Sequence, residues 1–261
     1  MRPCRKCDHR AAGVPVKCRP LARQSLLFRI YCFLIGFSTL GTFASRTLKL
    51  DPGPVAPAAS ILIIACAVSI IAVELACWRA LVATAVTASA LEICSLYTGF
   101  PFGVYAYTDA WIPTVPLGEH RFPLLLPGAW ILIVWGGYLW VSRFVSGWKA
   151  VLATATLAMA IDLPMERAMT EVFGYWTWTP PGPLFGAPVM NSMGWFLTAF
   201  LCAAPFRNVE GASDRYAPRV VALFCYFVAA SGLIAFWDWS WVLLSVIGTA
   251  LLLMRKRTLP S

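Results

Sequence analysis

The chain has 261 residues, of which 59% are hydrophobic and only 13% charged, with a formal net charge of +9. A water-soluble domain is about half apolar and about a quarter charged, so this sequence holds too little polar surface to coat a globule. The charge does not suit nucleic acid either, because it gathers at the chain ends: Arg2, Arg5, Lys6, Arg10, Lys17, Arg19 and Arg23 precede the first apolar run, and Arg255, Lys256 and Arg257 follow the last.

In chain order, residues 1–24 read as a basic cytoplasmic tail and residues 25–257 as one transmembrane helical domain. The tail holds Cys4, Cys7, His9 and Cys18, whose spacing matches no familiar zinc module, so disorder is the expectation there and no metal is called for. It lacks the small-residue cleavage site of a secretory signal. Apolar runs then recur over residues 26–44, 55–77, 80–96, 123–141, 148–169, 192–206, 218–236 and 241–254. These runs are apolar all round, as bilayer helices are, and they predict an all-α polytopic bundle of about eight spans. Placing the N-terminus in the cytoplasm puts Arg79, Arg143, Lys149, Arg207, Arg215, Arg219 and the terminal basic cluster inside as well. Only Arg46, Lys49 and Arg121 then fall outside, so the positive-inside rule predicts both termini cytoplasmic and a cell-membrane location.

Two loops on the predicted outer side differ from the rest. Residues 97–122 contain Gly99, Phe100, Pro101, Phe102, Gly103, Tyr105 and Tyr107; residues 171–191 contain Gly174, Tyr175, Trp176, Trp178, Gly186, Pro188 and Asn191. An interfacial aromatic belt accounts for part of this density. It does not account for the concentration of the Gly-aromatic pattern in two loops on one side.

Ionisable residues inside membrane helices are costly and usually functional. Glu92 lies near the outer end of the third run, and Asp162 and Glu166 near the outer end of the fifth. At the helical rise these groups sit roughly 9 Å below the interface, deep enough to share a cavity. Asp162 and Glu166, four apart, share one helix face. A carboxyl in an apolar pocket disfavours its ionised form and can act as a general acid near neutral pH, and aromatic faces can stabilise a cation. An acid plus an aromatic cage in a bilayer suits protonation of an alkene in a lipophilic isoprenoid. Bland readings stand beside this one: interhelical hydrogen bonds for Asp162 and Glu166, bracing of the Gly-rich loop for Glu92, and a helix N-cap for Asn191. Glu171 reads as the ion-pair partner of Arg167, and His120 as a solvated loop residue. No nucleotide loop and no H-E-x-x-H motif occurs.

Glu92, Tyr97-Thr98-Gly99, Phe102-Gly103-x-Tyr105-x-Tyr107, Pro127 and Trp130 form one motif. Asp162, Glu166, Trp176-x-Trp178, Gly186-x-Pro188, Asn191 and Gly194-Trp195 form a second. Together they resemble a carotenoid-biosynthesis membrane family that includes bisanhydrobacterioruberin hydratase and γ-carotene 1′,2′-hydratase. The resemblance implies cofactor-free addition of water across the terminal 1,2 double bond of an acyclic carotenoid end group. It implies a carotenoid drawn from the bilayer as substrate, water as co-substrate, and association with other carotenoid enzymes. Combined with the residues, it assigns the acid first to Asp162, the handling of water to Glu92 or Glu166 with Asn191, and the substrate cage to Tyr105, Tyr107, Trp176, Trp178 and Trp195. Rival readings are a carotenoid end-group cyclase, which also begins by protonating an alkene, a prenyl-adding elongase, which needs Asp-rich Mg²⁺ clusters, and a lipophile transporter or assembly protein.

Overall fold

A computed structural model describes residues 21–75, 78–207 and 217–237. Seven helices carry the described chain: α1 Leu21–Leu48, α2 Val55–Leu75, α3 Trp78–Thr98, α4 Leu126–Val141, α5 Gly147–Arg167, α6 Val189–Ala203 and α7 Ala217–Ala235. Five stretches, Leu26–Leu48, Val55–Val73, Trp78–Thr98, Gly147–Val172 and Val189–Phe206, are long and apolar enough to cross a bilayer. Leu126–Val141 and Arg219–Ala235 are shorter apolar helices. The predicted eighth run and the cysteine-bearing tail lie outside the described residues.

Local chemistry sets the joins. Between α1 and α2 the sequence Asp51-Pro52-Gly53-Pro54 cannot continue a helix, and the Gly53 N–H donates to Asp51 Oδ1 at 2.8 Å, closing an Asx turn. Pro164 removes one backbone donor inside α5, and the helix runs on from Arg167 into a π-turn, Ala168–Val172. Arg46 at the end of α1 donates to the carbonyl oxygens of Glu171 and Val172, which fixes the end of α1 beside that turn. The bundle is organised around α4, which touches α2, α3, α5, α6 and α7. Ten consecutive α4 residues, Trp130–Leu139, are buried, as expected of a helix apolar on every side.

The helical expectation needs one correction. The two aromatic loops are not irregular: they form two short antiparallel pairs. Strand β1, Tyr105–Tyr107, pairs with β4, Trp176–Trp178, and β2, Thr114–Leu117, forms a hairpin with β3, His120–Pro123. Pro123, expected at the start of the fourth run, therefore ends a strand, and α4 begins at Leu126. His120 stands in β3 with its ring edge-on to Tyr97, centroids 4.8 Å apart. The Arg167–Glu171 ion pair is present, at 3.0 Å.

Two glycines bring the loops against α6. Gly103 has φ +117°, and a Cβ there would meet Pro188 Cγ at 2.6 Å. At Gly194 a Cβ would stand 2.4 Å from Phe102 Cδ1 and 2.8 Å from the Pro101 carbonyl oxygen. Gly194→Val is expected to destabilise the fold by about 1–3 kcal/mol through overpacking, read as a lowered melting temperature in detergent. An unchanged melting temperature would show that the loop gives way at no cost.

A carboxyl pocket roofed by paired aromatic strands

Period-two alternation explains how Tyr-x-Tyr and Trp-x-Trp work together. In a strand, residues two apart point to one face, and in an antiparallel pair residues directly opposite share that face. Tyr105 stands opposite Trp178 and Tyr107 opposite Trp176, so four rings cover one side of the ribbon. Between them Ala106 and Thr177 are exposed. The rings touch edge and face: Tyr105 to Tyr107 at 5.3 Å, Tyr105 to Trp178 at 5.0 Å, and Tyr107 to Trp176 at 6.1 Å between centroids.

The polar ends of these rings find carboxylates below. Glu92, from α3, is 6% exposed and accepts from the hydroxyls of Tyr105 and Tyr107, the latter at 3.1 Å, and from Trp130 Nε1 at 3.2 Å. Burial above all pushes the Tyr105 and Tyr107 hydroxyls well above the usual tyrosine range, so both stay neutral. Glu166, from α5, is 1% exposed and accepts through Oε1 from the indole N–H groups of Trp176, at 2.9 Å, and Trp178. Its Oε2 accepts from Asn191 Nδ2 at 3.3 Å.

Asn191 also donates to both oxygens of Asp162, at 2.9 and 3.1 Å, and the Ser192 hydroxyl donates to Asp162 Oδ2 at 2.9 Å. Asn191 is therefore not the cap of α6. Pro188 precedes the helix and accepts the Asn191 backbone N–H, which leaves the Asn191 side chain free to bridge two carboxyls. One buried carboxylate costs several kcal/mol in lost solvation, and charge-assisted hydrogen bonds return about 1.5–3 kcal/mol each. Three hydrogen bonds per carboxyl are thus what burial of such groups requires.

All nine residues singled out in the sequence gather in this region. Glu92, Glu166, Asn191, Tyr105, Tyr107, Trp176, Trp178 and Trp195 line one cavity of about 560 Å³. Asp162 does not stand on that wall: its carboxyl lies behind Asn191 and Ser192. Trp130, Trp111 and Ser192 belong to the site without having been assigned to it from the sequence. Trp130 binds Glu92 and packs on Trp195 at 4.7 Å; Trp111 lines the cavity and stacks on Tyr175 at 5.2 Å. Among the described residues no cluster of three or more His, Cys, Asp or Glu is arranged to hold a metal ion.

Fold and site define a helical membrane protein with buried carboxyls and aromatic rings at the end of an apolar cavity. The chain belongs to the carotenoid biosynthesis protein family, which matches residues 56–254. Over 133 residues it is 29% identical to bisanhydrobacterioruberin hydratase of Haloarcula japonica, covering 49% of this chain and 43% of that one. The match thus spans less than half of that relative's length. No solved structure matches the chain.

Proposed function

We propose that this protein is a carotenoid 1,2-hydratase that adds water to the terminal double bond of an acyclic end group through a tertiary carbocation. The observation that carries this reading is that two carboxyls with different hydrogen-bond surroundings line one ring-walled cavity. Glu92 faces two tyrosine hydroxyls, which can accept as well as donate, so this carboxyl can hold a proton and give it up. Among the described residues Glu166 faces N–H donors alone, from Trp176, Trp178 and Asn191, a set that suits the carboxylate. A relative that carries the name of a hydratase supports the same reaction class.

Glu92 then delivers its proton to the less substituted alkene carbon. A C–H bond forms, the π bond breaks, and positive charge develops on the tertiary carbon beside the faces of Tyr105 and Trp178, with the Glu166 carboxylate as its counter-charge. Water, oriented by Glu166 and Asn191, forms the C–O bond and loses a proton to Glu166. Return of that proton to Glu92 through solvent closes the cycle, so the net change is one added water. The reaction is redox-neutral. Asp162, which the sequence nominates first as acid, acts in this scheme through Asn191, holding its amide toward Glu166. The chain crosses the cell membrane about eight times with both ends in the cytoplasm, so the carotenoid arrives from lipid and the pocket opens toward the outer leaflet.

The test is expression in lycopene-producing cells. A pigment heavier by the mass of one water, and less retained on a reversed-phase column, is the expected product. An isomer of unchanged mass would instead identify an end-group cyclase, and unchanged lycopene would point to a carrier or scaffold.

A further inference from the structure

The cavity is larger than the chemistry at its carboxyl end requires. At about 560 Å³ it falls in the range that holds a drug-sized ligand, whereas protonating one alkene needs only the space around the acids and rings. Beside residues of α4 and of the π-turn, much of the remaining wall comes from three other helices, each presenting one face at helical spacing. These faces are Ser38, Gly41, Thr42 and Ser45 on α1, Ala56, Ala59, Ser60 and Ile63 on α2, and Phe227, Ala230, Ser231 and Ile234 on α7. Two of the hydroxyls on this wall bond back to their own helices. Thr42 donates to the Ser38 carbonyl at 2.8 Å and Ser60 to the Ala56 carbonyl at 3.1 Å, so their protons are spent within their own helices. Arg46 and Asp51, the charged lining residues outside the carboxyl end, stand at the α1–α2 connection, where lining residues Leu50 and Val55 are 56% and 51% exposed.

We propose that this α1–α2–α7 arm holds the long hydrocarbon chain behind the reacting end group, and that the chain enters at the α1–α2 connection. This rests on the reading of the carboxyl end as the place where the end group reacts. The arm is then what selects an extended apolar chain over a short one, with α1 as one of its walls.

Two glycines of α1 supply a matched test. Among the described residues an added Cβ at either Gly36 or Gly41 meets nothing within 4 Å, and of the two Gly41 alone lines the cavity. Wild type, Gly41→Phe and Gly36→Phe are purified in mild detergent from lycopene-producing cells, and retained pigment is read as visible absorbance per protein. Gly41→Phe is expected to retain less than about a fifth of the wild-type pigment, and Gly36→Phe to retain it within twofold. Ser38→Leu, on the cavity face of α1, repeats the test if Gly41→Phe elutes as aggregate. Equal retention by Gly41→Phe, equal loss by Gly36→Phe, or a wild type that carries no pigment overturns the proposal. Hydration is followed in the same cells and on a ten-carbon terpene with the same terminal alkene. Gly41→Phe should lose lycopene hydration and keep that of the short substrate. A wild type that retains lycopene in a Gly41-dependent manner yet hydrates neither substrate would sink the hydratase reading alone and leave the chain-binding arm standing.

Discussion

Glu92→Gln is expected to lower hydration at least about 100-fold while the protein keeps its fold, because general acid catalysis by a positioned side chain contributes about 10²–10⁴. The substitution keeps the volume. It also keeps the surrounding hydrogen bonds satisfiable, since the tyrosine hydroxyls beside Glu92 can accept from an amide as readily as they donate to a carboxylate. What it removes is the transferable proton. Turnover is measured by mass spectrometry of extracted pigment, and folding by the size-exclusion profile and helical circular dichroism in detergent. The informative comparison is Asp162→Asn. Asp162 reaches the cavity only through Asn191 and Ser192, so its loss should loosen Asn191 and cost about 10-fold rather than abolish the product. Normal turnover in Glu92→Gln together with a dead Asp162→Asn would move the acid to Asp162.

Much of this arrangement was legible in the residues, for stateable reasons. Glu92, Asp162 and Glu166 are conspicuous because a carboxyl in an apolar helix is expensive, and depth counted along the helices put them at one level. The aromatic loops were conspicuous by composition. What composition could not give was their pairing. Three-residue strands are too short to show a period against a glycine-rich background, yet Tyr105-x-Tyr107 and Trp176-x-Trp178 each alternate, and antiparallel register turns the two alternations into one four-ring face. Trp130 illustrates the opposite difficulty. It belongs to the first motif, yet it sits in a continuous apolar run where every residue reads as packing, and within that run the indole N–H alone hints at a partner. That hint is unreliable within the same helix: Trp130 reaches Glu92, whereas the buried Trp135 N–H has no hydrogen-bond partner among the described residues. Asp162 failed to reach the cavity wall for a further reason. Spacing of four places two side chains on one helix face, but it does not say which of them a neighbouring helix will cover. The start of α6 brings Asn191 and Ser192 over Asp162 and leaves Glu166 open.

Glu166→Gln is expected to be the more severe change, about 1,000-fold or greater, and to fail in a different way. Its carboxylate has two tasks in the proposed cycle, as counter-charge to the cation and as acceptor of the proton lost by water. Glutamine supplies neither. It also turns an N–H₂ group toward Trp176, Trp178 or Asn191, all donors, so at least one buried donor loses its acceptor at a cost of about 1–3 kcal/mol. A modestly lower melting temperature is therefore part of the expected result. The kinetic distinction comes from heavy water. With Glu92 intact, the alkene can still be protonated on rare occasions, and the cation, lacking an oriented nucleophile, returns a proton to Glu92. Recovered substrate from Glu166→Gln should thus gain deuterium at the protonated carbon without gaining oxygen, whereas Glu92→Gln should gain neither. The reverse pattern would exchange the two roles. Full hydration in both variants would show that these carboxyls only hold the helices and the aromatic roof together, and that the proton comes from elsewhere.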